Sequence, residues 1–180
     1  ITGGGGVLGS KMASVLYQLG SIVYICDLNK RSADEKVEQI KKKDGKGEIF
    51  ASQMNVLERE SISNTAQKVV EKHKKIDVLI NAAGGNHPKA TTSTEMSFFD
   101  LSDTNFKSVL DLNMIGTVLP CQVIGKLMAE NHQGIILNIS SMTAFTPLTR
   151  VPAYSAAKAA VSNFTQWLAV HMAQEYDPAI

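Results

Sequence analysis

A glycine-rich segment, Thr2-Gly-Gly-Gly-Gly-Val-Leu-Gly9, and the apolar run Ser21-Ile-Val-Tyr-Ile-Cys-Asp27 together specify the architecture of this 180-residue chain. Between them, apolar residues recur at helical spacing over Ser10–Leu19, and Gly20 follows where a helix would end. The apolar run has the length and the β-branched content of a buried strand. The sequence therefore predicts a turn, a helix and a strand, in that order.

The glycines of the first segment fit a phosphate-binding pattern. Gly4, Gly6 and Gly9 satisfy G-x-G-x-x-G, in which missing β-carbons let backbone N–H groups and a helix N-terminus face a pyrophosphate. Asp27 lies eighteen residues after Gly9, where an acid accepts hydrogen bonds from adenosine ribose hydroxyls and repels a 2′-phosphate. This arrangement favours NAD over NADP. The alternative is that Asp27 or Asn29 caps the next helix.

Strand and helix patterns alternate along the rest of the chain. Helices are predicted over Lys30–Lys43, Glu58–His73, Phe98–Asn131 and Tyr154–Glu175, and strands over Glu48–Met54, Asp77–Asn81 and Gly134–Ile139. Pro120 is expected to bend or interrupt the long helix Phe98–Asn131. The repeated β-α order without hairpin signals predicts an α/β fold with a Rossmann-type, doubly wound parallel sheet and helices on both faces. We expect one dinucleotide-binding catalytic domain over residues 1–180, truncated at both ends, with most of its first strand and its C-terminal strands missing.

Composition argues against several classes of partner. The chain is 44% hydrophobic and 19% charged, with a net charge of +1, and it has no basic tract for a nucleic acid. No apolar run approaches the ~20 residues of a membrane span, and no signal peptide is evident. Cys26 and Cys121 lie inside apolar runs without metal-ligand spacing, so we expect reduced core thiols, no metal and a cytoplasmic protein.

A second informative stretch runs from Asn138 to Lys158. Tyr154 and Lys158 are four residues apart in an Ala-rich segment, so on a helix both side chains share one face. An adjacent ammonium favours the phenolate, which lets a tyrosine exchange protons near neutral pH. Ser141 lies at the end of an apolar run, where its hydroxyl can reach a substrate oxygen. The alternative is an ordinary helix N-terminus with a surface tyrosine.

Taken together, these pieces resemble the short-chain dehydrogenase/reductase family across the whole chain. The matching pieces are Thr2-Gly-Gly-Gly-Gly-Val-Leu-Gly9, Asp27, Asn81-Ala-Ala-Gly84, Asn113, Ser140-Ser141 and Tyr154-Ser-Ala-Ala-Lys158. The chain departs from the family at two positions. Val7 stands where the family pattern T-G-x-x-x-G-x-G has its middle glycine, and Asn55 stands where an Asp usually meets the adenine.

The resemblance implies a role for each matching residue. Tyr154 would be the general acid and base, Lys158 would support it and hold the nicotinamide ribose, and Ser141 would polarise the carbonyl. Asn113 would hold a water that continues the proton path. The implied NAD site comprises Gly3, Gly4, Gly5, Gly6, Val7, Leu8, Gly9, Asp27, Asn55, Val56, Asn81, Ala82, Ala83, Gly84, Tyr154 and Lys158. The family is commonly tetrameric through its long helices, here Phe98–Asn131 and Tyr154–Glu175, which implies a homotetramer.

Three further stretches are similar to the D-mannonate oxidoreductase group of that family: Gly84–Lys89, Ser141–Arg150 and Phe164–His171. This similarity implies a sugar-acid substrate, with reduction of D-fructuronate to D-mannonate. A sugar acid needs a cation and polar donors, and Arg150, Asn86, His87 and Lys89 fall in loops that follow strands. The alternative is that these are solvated loop residues.

Three other functions remain open from the sequence. Two are dehydrogenases of the same fold, a gluconate 5-dehydrogenase and a 3-oxoacyl-thioester reductase. The third is a non-catalytic dinucleotide sensor. The presence of Ser141, Tyr154 and Lys158 argues against the sensor, because a sensor needs none of the three.

Overall fold

Four parallel strands alternate with six α-helices in the computed structural model, which describes residues 1–146 and 148–180. The strands are β1 (Ile22–Asp27), β2 (Glu48–Gln53), β3 (Val78–Asn81) and β4 (Ile135–Asn138). The helices are α1 (Val7–Gln18), α2 (Lys30–Lys41), α3 (Arg59–His73), α4 (Asp103–Leu110), α5 (Gly116–Glu130) and α6 (Pro152–Glu175). A π-helical segment, Asp111–Ile115, joins α4 to α5, and single 3₁₀ turns cover Pro88–Ala90, Phe98–Asp100 and Met142–Ala144.

The first two residues of the chain bridge the two halves of the sheet. β1 pairs with β2 and β3 pairs with β4, both in parallel. Thr2 forms parallel bridges to Cys26 in β1 and to Asn81 in β3, so the strand order is β2, β1, residues 1–2, β3, β4. Thr2 N donates to the carbonyl of Ile80 at 2.9 Å, and Cys26 N donates to that of Ile1 at 2.9 Å. The parallel sheet predicted from the sequence is therefore confirmed.

Helices cover both faces of this sheet. On one face, apolar side chains of α1 and α2 pack against Val23 and Ile25 of β1. The helix residues in this cluster are Ala13, Ala33, Val37 and Ile40. On the other face, α3 and α5 pack against Cys26 of β1 and Leu79 of β3. The helix residues in this cluster are Ile62, Ala66, Ile124 and Met128. Val23 and Ile25 alternate with Cys26 because successive strand side chains point to opposite faces. The doubly wound architecture is thus present.

The long helix expected over Phe98–Asn131 is divided, but not where the sequence indicated. The helix continues through Pro120, and the irregularity is the π-helical segment Asp111–Ile115 upstream of it. Pro120 lacks the N–H that would pair with the carbonyl of Gly116, four residues earlier. That carbonyl lies at the end of the π-helical segment, where the hydrogen-bond register already changes, so the proline costs little further disruption.

Two helices begin earlier than their sequence patterns indicated. α1 begins at Val7 instead of Ser10, and α6 begins at Pro152 instead of Tyr154. Proline suits the first turn of a helix because its missing N–H would have no partner there. Both early starts place helix N-termini at the carboxyl edge of the sheet, where ligands bind in folds of this kind.

The stretch Asp103–Glu130 corrects the expectation that nothing approaches the length of a membrane span. Its 28 residues, with a mean hydropathy of 1.3 in the most apolar window, are long and apolar enough by length and composition alone. In this fold, however, 44% of that window is buried, and α5 packs against α3, β3 and β4. The apolar composition is accounted for by this position in the core.

Candidate active site

Ser141 begins a short turn just beyond β4 and offers a hydroxyl proton at the carboxyl edge of the sheet. Its Oγ accepts a hydrogen bond from Thr143 N at 3.2 Å, and the turn that follows packs against α6. Because the backbone amide occupies a lone pair of Oγ, the hydroxyl hydrogen stays free to donate to a ligand oxygen. A hydroxyl donor is the kind of group that polarising a carbonyl requires.

Ser140 has a different environment from its neighbour. Its Oγ lies 2.5 Å from Ser162 Oγ and donates to the carbonyl of Lys158 at 3.3 Å. Both contacts are with α6, so this hydroxyl is already used in holding the helix to the strand. The choice of Ser141 over Ser140 from sequence spacing agrees with this difference, although it remains a prediction about function.

Lys158 is almost completely buried, with 5% of its surface exposed, beside Tyr154. Its Nζ donates to the carbonyl of Ile139 at 2.7 Å and lies 5.6 Å from the centre of the Tyr154 ring. Burial lowers the pKa of the Lys158 ammonium, because the charged form loses solvation. A cation held in this way is available to bind a ribose hydroxyl and to stabilise negative charge on the phenol.

Asn113 lies fully buried within the π-helical segment and is anchored to protein. Its Oδ1 accepts from Gly85 N at 3.1 Å, and its Nδ2 donates to the carbonyls of Gly85 at 2.7 Å and Val109 at 2.8 Å. The sequence indicated that a buried Asn in a helix must have a partner, and the partner is the loop after β3. Both Nδ2 hydrogens are used, so only acceptor sites remain for a water.

Gly84 brings Asn113 and Lys158 to one place. A β-carbon on Gly84 would lie 2.6 Å from Asn113 Oδ1 and 3.3 Å from Lys158 Nζ. A side chain larger than hydrogen would therefore displace one of these two groups. The end of β3, the π-helical segment and α6 thus converge on a single glycine.

The glycine-rich turn packs directly on the segment that follows β3. Gly3 has a left-handed φ of 60°, and a β-carbon there would lie 2.6 Å from the Ala83 Cα. A β-carbon on Gly9 would lie 2.6 Å from the Gly3 carbonyl oxygen, so only glycine lets α1 approach the turn this closely. Val7, where the resembling family has glycine, is not among the residues with positive φ. A β-branched residue is therefore compatible with this turn.

The N-terminus of α1 is available for an anion. Gly6 caps the helix without a side-chain hydrogen bond, and Val7 and Leu8 in the first turn are 77% and 67% exposed. The first amides of a helix have no intrahelical partners and lie at the positive end of the helix dipole. They form a cradle that suits a pyrophosphate.

Asp27 lies beside this turn at the end of β1. Its Oδ2 accepts from Gly5 N at 3.0 Å, and its Oδ1 accepts from Asn29 N at 3.0 Å. The cap of α2 is Asn29, whose Oδ1 accepts from Ser32 N at 3.2 Å. Asp27 is therefore not the helix cap, and each carboxylate oxygen retains a lone pair for a ribose hydroxyl.

The other predicted cofactor residues divide into contact and support positions. Asn55 is largely committed to its own turn, since Oδ1 accepts from Leu57 N at 3.1 Å and Nδ2 donates to Glu58 at 2.8 Å. Val56 has a buried core side chain, so its backbone is the part that could meet an adenine. Asn81 Nδ2 donates to Cys121 Sγ at 3.2 Å and to Asn138 Oδ1 at 2.9 Å, which holds β3 to β4. Ala82 and Ala83 line the floor beneath the turn.

Two loops that could contact a substrate are joined beside Tyr154. Thr92 N donates to the carbonyl of Arg150 at 2.9 Å, and Arg150 has a left-handed φ of 77°. Asn86 Nδ2 donates to Thr91 Oγ1 at 2.7 Å, while His87 Nδ1 accepts from Lys89 N at 3.2 Å. Lys89 itself is exposed in the same loop. The four predicted substrate residues are therefore brought to one region.

Two groups that support the site were not predicted from the sequence. The amide of Thr143 that engages Ser141, and Gly85 that engages Asn113, depend on backbone geometry that residue types do not encode. The Gly84-Gly85 pair was the only available signal for the second. Among residues 1–146 and 148–180, no group of three His, Cys, Asp or Glu residues is placed to hold a metal ion.

Comparison with known proteins places the chain in a family. Residues 1–176 match the family described as short chain dehydrogenase. A Haemophilus influenzae protein described only as an uncharacterised oxidoreductase is 44% identical over 97% of this chain and 64% of its own length. The Bacillus subtilis oxidoreductase UxuB, also uncharacterised, is 40% identical over 97% of this chain and 65% of its own length.

A solved structure gives the same result. A Haemophilus protein provisionally assigned as a D-mannonate oxidoreductase, crystallised with NAD, superposes with a TM-score of 0.90. It is 44% identical, and the match covers 96% of this chain and 65% of that protein. A doubly wound parallel sheet with a glycine-rich turn at its carboxyl edge defines a dinucleotide-binding α/β domain. The chain belongs to the short-chain dehydrogenase/reductase family, and it spans about two thirds of the length of these relatives.

Proposed function

We propose that this protein is an NAD(H)-dependent oxidoreductase acting on a carbonyl or secondary alcohol. The observation that carries the proposal is the convergence of Lys158 and Asn113 on Gly84, with Tyr154 beside Lys158. The turn that begins at Ser141 packs against the helix that carries Tyr154 and Lys158. A proton donor, a cation and a hydrogen-bond donor at one edge are the groups that carbonyl reduction requires.

The residues present fit NAD. The exposed amides at the start of α1 would bind the pyrophosphate, and Asp27 would accept hydrogen bonds from the adenosine ribose. Val56 and Asn55 would border the adenine, and Ala82 to Gly84 would form the floor beside the nicotinamide. When bound, the nicotinamide donates or accepts the hydride.

The side chains would manage the proton and the developing charge. Ser141 donates a hydrogen bond to the carbonyl oxygen, which polarises the carbon. Tyr154 gives a proton to that oxygen in reduction and takes it back in oxidation. Lys158 stabilises the phenolate and binds the nicotinamide ribose. A water at the remaining acceptor sites of Asn113 would lead the proton away from Lys158.

For the substrate we propose a sugar acid, with D-fructuronate and D-mannonate as the pair. The support is the meeting of Arg150, Asn86 and His87 in two joined loops, together with the provisional name of the 44%-identical structure. Arg150 would hold the carboxylate, since a guanidinium pairs with it bidentately. Asn86 and His87 would contact hydroxyls.

A second candidate is a reductase of 3-oxoacyl thioesters. It is favoured by three exposed apolar side chains next to Ser141, because an acyl chain needs such a surface. Met142, Phe145 and Leu148 are 68%, 76% and 49% exposed. A gluconate 5-dehydrogenase would need the same polar loops as the leading proposal and is separated from it only by assay.

We also propose a cytoplasmic homotetramer assembled through α4–α5 and α6. The support is the chemistry of α6, in which residues 159–174 contain no Asp, Glu, Lys or Arg. Trp167 and Val170 on this helix are 55% and 56% exposed. Interface cores are depleted in charge and enriched in aromatic residues.

A carbonyl panel tests the function. NADH oxidation would be followed with D-fructuronate, 5-ketogluconate and an acetoacetyl thioester, alongside the Tyr154→Phe variant. We expect turnover with D-fructuronate, near-complete loss of turnover in the variant, and unchanged NADH affinity by calorimetry. Faster turnover of the thioester would favour the second candidate. NADH binding without turnover of any carbonyl would favour a non-catalytic sensor, and near-normal turnover in the variant would exclude the mechanism.

A further inference from the structure

Four polar side chains join the end of β4 to the middle of α6. Asn138 Nδ2 donates to Thr165 Oγ1 at 2.9 Å, and the hydroxyls of Ser140 and Ser162 lie 2.5 Å apart. We refer to Asn138, Ser140, Ser162 and Thr165 as the polar ladder. Among the hydrogen bonds of residues 1–146 and 148–180, none joins these four side chains to the glycine-rich turn.

The helix members of the polar ladder share a face with Lys158. Ser162 and Thr165 follow Lys158 by four and seven residues, a spacing that keeps the three side chains on one side of α6. Lys158 Nζ donates to the carbonyl of Ile139, which lies between Asn138 and Ser140. The helix is thus attached to three successive residues, the last residue of β4 and the two that follow it, and cannot slide along β4 without losing hydrogen bonds.

The hydrogen bonds around Asn138 and Thr165 fix the direction of both groups. Thr165 Oγ1 donates to the carbonyl of Val161 at 2.7 Å, so its oxygen is left to accept from Asn138. Asn138 Oδ1 accepts from Asn81 Nδ2 at 2.9 Å, which extends the connection into β3. Paired groups in a partly buried network hold one arrangement, because any other leaves a polar atom without a partner.

We infer that Ser162 and Thr165 are positioning residues for the proposed reaction. Ser141 follows Ser140 directly in the chain, and Tyr154 lies one helical turn before Lys158. The polar ladder therefore sets the distance between the hydroxyl that polarises a carbonyl and the phenol that protonates it. The inference rests on the proposed function, and misplacement of reacting groups by ~1 Å can cost about 100-fold in rate.

Removal of one hydroxyl without loss of volume tests the inference. Thr165→Val keeps the shape of the side chain and removes the acceptor for Asn138, whereas Thr165→Ser keeps the hydroxyl. The matched control is Thr65→Val on α3, because Thr65 is buried and its Oγ1 lies 3.3 Å from Ser52 Oγ of β2. This pair also joins a helix to a strand, and β2 lies at the opposite edge of the sheet from β4, which precedes Ser141.

The kinetic constants of the native protein distinguish positioning from a structural role. We expect Thr165→Val to lower kcat by about 10-fold, with KM and the NADH Kd within about twofold of wild type. Thr165→Ser should restore most of kcat, and Thr65→Val should retain it while lowering the melting temperature. Wild-type kcat in Thr165→Val, or an equal kcat loss in Thr65→Val, would overturn the inference. If Thr165→Val does not fold, Ser162→Ala is judged by the same criteria.

A structural readout separates this inference from the proposed function. If wild type turns over no carbonyl in the panel, the proposed function fails and kinetics no longer apply. Crystal structures of wild type and Thr165→Val then decide. A change of about 0.5 Å or more in the separation of the Cα atoms of Ser141 and Tyr154 would support the inference, since that is the tolerance of a catalytic arrangement. An unchanged separation would overturn it.

Discussion

Lys158 carries a charge in a place where charges are costly. Its side chain is nearly inaccessible to water, and in the part of the chain that the structure describes its Nζ has one hydrogen-bond acceptor, the carbonyl of Ile139. Burial lowers its pKa from 10.5, so the folded state binds this proton less tightly than the unfolded state does. Stability therefore rises with pH between the lowered folded pKa and 10.5, and the burial penalty is fully present below the folded pKa.

Replacement of Lys158 by Met should separate stability from function. We expect Lys158→Met to stabilise the protein by about 1 kcal/mol at pH 7, because an apolar chain of similar length removes the desolvation penalty. The same variant should lose about 1,000-fold in kcat/KM, since the phenol loses its cation. Denaturant unfolding at pH 7 and pH 10 measures the first effect, and the advantage should shrink at the higher pH. A variant less stable than wild type at pH 7 would show that Lys158 stabilises the fold.

The two cysteines should be unreactive in the folded protein. Burial raises the pKa of the Cys121 thiol to about 12, against the opposing effect of its hydrogen bonds to Asn81 and Asn138, and burial also raises that of Cys26. Only the thiolate attacks a disulfide reagent. Titration with such a reagent at pH 8 should detect no thiol in native protein and two in denaturant. Rapid labelling of one native thiol would contradict the buried placement of these residues.

Gly84 and Gly85 form a natural pair of variants at the junction of three elements. A β-carbon on Gly84 would meet Asn113 and Lys158, whereas one on Gly85 would have no atom within 4 Å. We expect Gly84→Ala to lower kcat by about 100-fold through displacement of one of these groups, and Gly85→Ala to stay within twofold of wild type. Steady-state kinetics of both variants measure this difference. Equal losses would mean that backbone flexibility matters more than the space beside Gly84.

The elements also show what could be predicted from sequence and what could not. The strands β1 to β4 and the main helices follow from apolar periodicity, because burial on a strand or a helix leaves a repeating pattern. The π-helical segment does not, since its five residues, Asp111–Ile115, carry no period of their own. Asn113 in this segment is hydrogen-bonded to Gly85, which is far from it in the chain.

In the candidate site, the group Ser141, Tyr154 and Lys158 could be predicted from the sequence, whereas the contact between the two loops beside Tyr154 could not. Ser141, Tyr154 and Lys158 stand at spacings that one helix and one strand end can bring together, so residue types were sufficient to predict them as a group, and their roles stay a prediction. The contact between Thr92 and Arg150 joins two irregular loops, and loops have no periodicity from which a contact could be inferred. The polar ladder was invisible for a related reason, because serine and threonine on a helix are usually surface residues.

At the scale of the whole molecule, α6 exposes a surface that is poor in charged side chains, which is unusual for a surface that faces only water. Between residues 156 and 174 its exposed residues carry no charge and are Ala156, Ala159, Asn163, Gln166, Trp167, Ala169, Val170, Ala173 and Gln174, and the charged Glu175 follows at the end of the helix. Small side chains allow two helices to approach closely, and the Trp167 ring stacks on His171 at 4.8 Å, which holds it in place. A face that packs against its own copy across a two-fold axis would place each Trp167 near the equivalent helix of the other protomer.

Charge placed on this surface should break the proposed assembly. We expect Trp167→Glu combined with Val170→Glu to convert a tetramer into dimers or monomers, because two carboxylates per protomer would be desolvated at each interface. Light scattering coupled to size exclusion measures the mass. The control is Lys68→Glu on α3, where the side chain is exposed among polar neighbours, and it should leave the mass unchanged. A tetramer that survives the double substitution would mean that α6 faces solvent and that assembly uses other surfaces.

The same helix carries Tyr154 and Lys158. An interface that stiffens α6 should therefore support turnover, and we expect kcat to fall together with the mass when the assembly is lost.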